Sequence, residues 1–184
     1  MSAVTLSELI ESALAELDHP EDTAALPLWK EKLTRFANEA IADLYATFHP
    51  WRRDTLQLTD GTLALSGLPY TVGKVLGTER LGMRIPFFYG ENTNTLRVPG
   101  VPDGPMTVVY RYLPDALAED DDEPMLPAAC HPLIVLYMVG RFSMQNDAQS
   151  MNRASAAMSL YETRKRRLKL DFDEPTDYRI TGAW

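Results

Sequence analysis

The sequence predicts an α+β fold that is mainly helical: a four-helix body, two helices from each end of the chain, with a small antiparallel β lobe inserted between the helix pairs. Three observations carry this. Apolar residues recur at helical spacing before Pro50 and again after Ala128; they alternate between those points; and Gly or Pro punctuates the alternating stretch every few residues. The expected organisation is a helical body from 1–50 and 128–170, a β lobe at 51–113, an acidic linker at 114–127 and a docking tail at 171–184.

The first helix is expected over 5–17, where Leu6, Leu9, Ile10, Ala13, Leu14 and Leu17 share one face. Thr5 and Glu8 stand at capping-box spacing, so each can satisfy the other's free backbone N–H. After the breaker "DHPEDTAALP", Pro27 suits the first turn of a second helix. Its stripe runs through Trp29, Leu33, Phe36, Ala37, Ala40, Ile41, Leu44, Tyr45 and Phe48.

Beyond Pro50, Leu56 and Leu58 face Leu63 and Leu65 across "TDGT". Asp60-Gly61 tolerates the positive φ angles of a tight hairpin, so a β-hairpin is expected there. The segments "YTVGKVLGTE", "MRIPFFY", "TLRV" and "MTVVYRYL" read as further short strands. The tract "AEDDDEP" carries like charges and almost no apolar surface, which predicts a solvent-exposed joint.

From Ala128 a third helix is expected, with Pro132 in its first turn. Leu133, Ile134, Leu136, Tyr137, Val139 and Phe142 cover most of its surface, so it should be buried on several sides. A fourth spans about 148–170, with Met151, Ala154, Met158, Tyr161 and Leu168 as a stripe for the preceding helix or a neighbouring subunit. The tail "DFDEPTDYRITGAW" shows no period.

Composition narrows the function. With 184 residues, 45% apolar and 24% charged, the chain has the make-up of a folded protein of about one domain. One cysteine cannot form an internal disulfide, and the acidic, amphipathic start argues against a secretory signal. The longest uncharged apolar run, Leu133 to Gly140, is far short of the ~20 residues a membrane span needs. A net charge of −8 speaks against a protein built chiefly to grip nucleic acid. The charge is sorted, however: 148–170 holds six cations against Glu162 alone.

No motif carries chemistry. Cys130-His131 invites a nucleophile and base, yet neighbours at a helix start point about 100° apart, so a buried thiol beside a capping or surface histidine is the simpler reading. His19, His49, His131 and Cys130 show no metal-ligand spacing. "GLPYTVGKV" has five residues between its glycines where a phosphate loop has four, and Val75 replaces the hydroxyl residue. No catalytic residue, cofactor or metal is therefore expected. "RKRRLK" remains. Cations favour a helix C-terminus, but four in succession exceed what the dipole requires, and a docking surface is the other reading. Phe172, Tyr178 and Trp184 in the acidic tail favour docking.

The order of parts resembles the head-to-tail adaptor proteins of tailed bacteriophages. The resemblance covers about residues 5–170 and is most specific from Tyr110 to Phe142, where "YRYLP", an acidic stretch, a "LP...HP" helix start and an apolar helix succeed one another. It implies a structural, non-enzymatic ring protein, typically of twelve subunits, beneath the portal, joining capsid to tail and extending the DNA channel. The implied partners are the portal protein, the next tail-side component, copies of the same chain and passing genomic DNA without sequence-specific binding. Mapped onto this chain, it makes Arg164, Lys165, Arg166, Arg167 and Lys169, with Phe172, Tyr178 and Trp184, the portal-docking candidates. The alternative is a DNA-binding regulatory or packaging module that uses the same basic helix end.

Overall fold

The computed structural model describes residues 4–17, 26–144 and 148–168. They fall into two units: a helical one within residues 4–48 and 114–168, and a β one from His49–Leu113.

The helical unit contains α1 (Leu6–Glu16), α2 (Leu26–Phe48), α3 (His131–Ser143) and α4 (Ala148–Arg167). Thr5 and Glu8 form the expected capping box, with Thr5 Oγ1 accepting from the Glu8 N–H at 3.3 Å and Glu8 Oε2 from the Thr5 N–H at 3.0 Å. All six apolar residues expected on this face are buried, Leu6 and Ala13 completely. Each large one removed from water contributes about 1.5–3 kcal/mol before entropy is counted. On α2, Leu33, Phe36, Ala37, Ala40 and Leu44 are likewise fully buried.

α3 packs against α1, α2 and α4, which is why its sequence is apolar on most sides. Pro132 sits in its first turn, where its missing N–H costs no hydrogen bond. α4 buries a narrower row than its sequence stripe implies. Ala154, Ala157 and Tyr161 are inside, whereas Met151 is 61% exposed. Small residues let α4 approach α3 closely at Gly140, whose missing Cβ would lie 2.7 Å from Met158 Sδ. Gly140→Ala is therefore expected to change stability by less than about 1 kcal/mol, because helix propensity gains what moving a flexible Met end loses. Gly140→Leu should lose about 1–3 kcal/mol in thermal melts, since it must part the helices.

The acidic segment departs from a simple exposed joint. Glu119, Asp120, Asp121 and Glu123 are exposed as expected, but the backbone beneath them is bound. The Leu6 and Ser7 N–H groups, free donors in the first turn of α1, donate to the Asp122 and Asp120 carbonyls at 2.8 and 3.1 Å. Asn38 holds Leu117 with both ends of its amide, at 2.8 and 2.9 Å. Tyr45 donates to the Met125 carbonyl at 2.7 Å, and Lys30 pairs with Asp120. The segment is a strap over α1 and α2. Negative charge at the positive end of α1 is also favourable.

The β unit is larger than the small lobe expected. Seven strands form two antiparallel sheets, ordered β1-β7-β3-β4 and β2-β6-β5. The strands are β1 (Trp51–Leu58), β2 (Thr62–Ala64), β3 (Val72–Arg80), β4 (Met83–Ile85), β5 (Phe88–Tyr89), β6 (Thr95–Arg97) and β7 (Gly104–Tyr112). They enclose a core of their own, with Leu63, Leu96, Val98, Val108 and Tyr110 completely buried. Tyr110 places its hydroxyl on Asp54 at 2.8 Å; burial and that carboxylate push its pKa up. The expected Asp60-Gly61 turn is present, with φ of 49° and 68°. Yet the strands flanking it do not form a hairpin ladder. Only Thr59 and Thr62 bridge; β1 pairs with β7 and β2 with β6. A tight turn fixes a reversal, while burial of Met106, Val108 and Tyr110 decides which strand pairs with which.

Candidate functional site

The structure describes four of the eight docking candidates. Lys169, Phe172, Tyr178 and Trp184 lie outside the described residues. Arg164, Lys165, Arg166 and Arg167 occupy the last turn of α4, with no acidic residue among them. Helical geometry sends consecutive side chains about 100° apart, so the four cannot act alike.

Lys165 turns into the helical unit. Its ammonium lies 2.7 Å from Asp43 Oδ2 and 3.0 Å from Glu162 Oε1, and its side chain is only 11% exposed. Tyr161, itself 1% exposed, donates to the same Asp43 oxygen, and Lys165 lies 4.8 Å from the Tyr161 ring centre. Partial burial pushes the Asp43 carboxyl up, but the Lys165 and Tyr161 hydrogen bonds together outweigh it and hold the group below its ordinary value. Burial alone would lower Lys165; Asp43 and Glu162 reverse that and raise it. This lysine locks α4 to α2. Arg164, Arg166 and Arg167 are exposed.

Arg164 also lines an apolar groove of about 590 Å³ between α1 and α3 that the sequence did not single out. Leu9, Pro132, Val135, Leu136 and Val139 line it, with Glu16 and His131. Pro132 and Arg164 line a second hollow as well, shared with Ala129, Leu133, Arg167 and Leu168, so the two adjoin. The available signal was the surplus of apolar positions on α3, more than three neighbouring helices cover.

Cys130 and His131 have structural surroundings. Cys130 is completely buried, and burial pushes its thiol up to about 11, which leaves no thiolate at neutral pH. His131, expected at the surface or in a cap, is 8% exposed; its backbone N–H closes the 3-10 turn Ala128–Cys130 on the Ala128 carbonyl, while its ring turns inward to Leu126. Its Nε2 lies 3.3 Å from the Leu126 carbonyl, which fixes Nε2 as the donor of a neutral ring, and its Nδ1 is buried without a partner. Burial lowers the pKa; the Leu126 contact and Glu123 oppose it less strongly. The folded state thus disfavours the proton. Stability should be full above the ordinary 6.5 and decline as pH falls below it, through the lower folded value. The expected result is a falling Tm between pH 7 and 5 that His131→Gln flattens.

In the β unit a cleft of about 620 Å³ is lined by Tyr70, Gly73, Lys74, Tyr89 and Asn94, within and beside "GLPYTVGKV". Strand β3 begins within that stretch, at Val72, so the backbone N–H groups enter a ladder instead of converging on a phosphate. Among the described residues, no three of His, Cys, Asp and Glu are grouped to hold a metal ion, and no helix is long and apolar enough to cross a membrane.

The described arrangement sets three exposed guanidinium groups on an anchored helix end beside an open apolar groove. The SU10 adaptor protein family model matches residues 4–180. The chain belongs to this family of phage head-to-tail adaptors. Comparison with individual curated proteins gives no match.

Proposed function

We propose that this chain is the ring-forming adaptor of a phage neck, seated beneath the portal, joining capsid to tail and extending the DNA channel within the virion. Family membership over nearly the whole chain is the observation that carries the reading. Twelve subunits, the number typical of the adaptors the sequence resembles, is the proposed count. The next tail-side component would meet the ring on its other side. The two units are proposed as its domains, with the strap as their return connection.

Portal docking is assigned to Arg164, Arg166 and Arg167 together with Lys169, Phe172, Tyr178 and Trp184, while Lys165 serves to brace α4. Rigid support of this kind lowers the entropy lost on binding. An overall charge of −8 supports passage of DNA without retention, because a basic lumen would hold phosphates by counterion release.

Native mass spectrometry of the chain, alone and with portal, tests the assembly. A ring in the presence of portal is expected; a monomer of 20.7 kDa under both conditions would overturn it. Reversing Arg164, Arg166 and Arg167 to Glu should abolish portal binding at unchanged Tm. If the same variant instead loses a steeply salt-dependent affinity for duplex DNA, the basic end is a nucleic-acid surface and the docking assignment fails.

A further inference from the structure

The groove between α1 and α3 leaves Pro132 exposed and Val135 and Leu136 half-buried over a floor that includes the buried Leu9 and Val139. Leu9, Val135, Leu136 and Val139 line it, and Arg164 adds a cation. Its adjoining hollow is lined by Arg167 and Leu168. α4 ends at Arg167, so the chain leaves the helix at the lip of this surface. Beyond Leu168 the sequence runs "KLDFDEPTDYRITGAW", in which Asp171 to Tyr178 carries four acids, two aromatics and no cation.

We infer that the acidic, aromatic segment Asp171–Tyr178 occupies this groove within its own chain, its carboxylates on Arg164 and Arg167 and Phe172 on the apolar floor. Three considerations select this occupant. Its chemistry is complementary: apolar rings for the apolar lining, carboxylates for exposed guanidinium groups, which donate to them in paired hydrogen bonds. Its reach suffices, because α3 from Pro132 to Val139 rises only about 10 Å, and extended chain covers about 3.3 Å per residue. Its tether is short. Three residues separate Leu168 from Phe172, and a tether of that length gives an effective concentration of about millimolar, so even a contact of ~1 mM affinity is substantially filled.

Phe172 and Tyr178 are also assigned to the portal under the proposed function, so the contact would be a self-occupied state that docking displaces. This regulatory consequence rests on the proposed function, whereas the contact itself does not. A free chain would keep its basic helix end and apolar groove covered. It would release both only where a partner offers a better surface.

The full chain carrying a photo-crosslinking benzoylphenylalanine in place of Phe172 tests this, prepared as an equal mixture of light and heavy isotope forms. The expected crosslinks fall on residues 9–16 and 132–139, join only like isotopes, and decline about tenfold in the Arg164→Glu, Arg167→Glu variant, the worth of two exposed ion pairs. Crosslinks elsewhere, none at all, or a yield indifferent to the two arginines would overturn the contact. Light-to-heavy crosslinks would assign the groove to a second copy and overturn the intrachain form. Portal binding, measured separately on the same variant, keeps the two ideas apart: its loss with unaltered crosslinks refutes the self-contact and leaves the portal assignment standing.

Discussion

Asp43→Ala should lower the unfolding free energy by about 2–3 kcal/mol at neutral pH, measured by urea titration. The carboxylate is the common acceptor of a buried phenol and a nearly buried ammonium, so its loss strands the phenol and leaves the ammonium with Glu162 alone. An unsatisfied buried hydroxyl costs about 1–3 kcal/mol, and an unpaired buried charge more. The Asp43 side chain is 40% exposed and Lys165 keeps Glu162, so solvent and the second acid limit the loss. Tyr161→Phe removes a donor without stranding a charge and should cost about 1 kcal/mol. The folded Asp43 pKa is depressed below 3.8, so the bond's contribution is complete above that value and disappears as pH falls through the lower one. Wild type and Asp43→Ala should therefore converge in stability in strong acid. Persistence of the gap there would refute the ionic account.

The second large effect is expected at Asn38. Its amide donates to the Leu117 carbonyl and accepts from the Leu117 N–H, the pattern one residue of a strand offers another. Asn38→Ala leaves both groups unpaired beside the buried Leu117 side chain, a loss of about 2 kcal/mol or more. Asn38→Asp is the sharper test. It is the same shape, but it turns the donating nitrogen into an oxygen that faces the carbonyl, and it should destabilise as much as Ala does. Limited proteolysis should then cut within 118–123, where the strap's carboxylates already face solvent. A protease pattern identical to wild type would show that other contacts, such as Tyr45 on Met125, hold the strap alone.

The helices were legible because their causes are local. Thr5 and Glu8 announce α1, Pro132 announces α3, and the helical spacing of Leu6, Leu9, Ile10, Ala13, Leu14 and Leu17 picks the buried face of α1. Strand locations were legible for similar reasons, since "MTVVYRYL" and "TLRV" lie where β7 and β6 do. Pairing was not. Nothing near Asp60-Gly61 tells Leu56 that its partner is Met106, because that choice depends on a core assembled from residues far apart in sequence. The strap escaped notice because its ties come from outside it, through Asn38 and Tyr45, while its own composition advertises only charge. In the site, a run of four cations looks uniform as text. Rotation about the helix axis separates Lys165 from its neighbours, and only the position of Asp43 on α2 makes that separation matter.

The full-length pairing of β1 with β7 sets Trp51 opposite Arg111, so the strands that begin and finish the β unit lie side by side. Paired Cα atoms in such a ladder are about 5 Å apart. A gap of that size can be closed by a turn of a few residues, which makes the whole β unit a removable cassette. Joining Trp51 to Arg111 through such a turn should yield a miniature that keeps the helices, and grafting a foreign module between the same two points should be tolerated equally well.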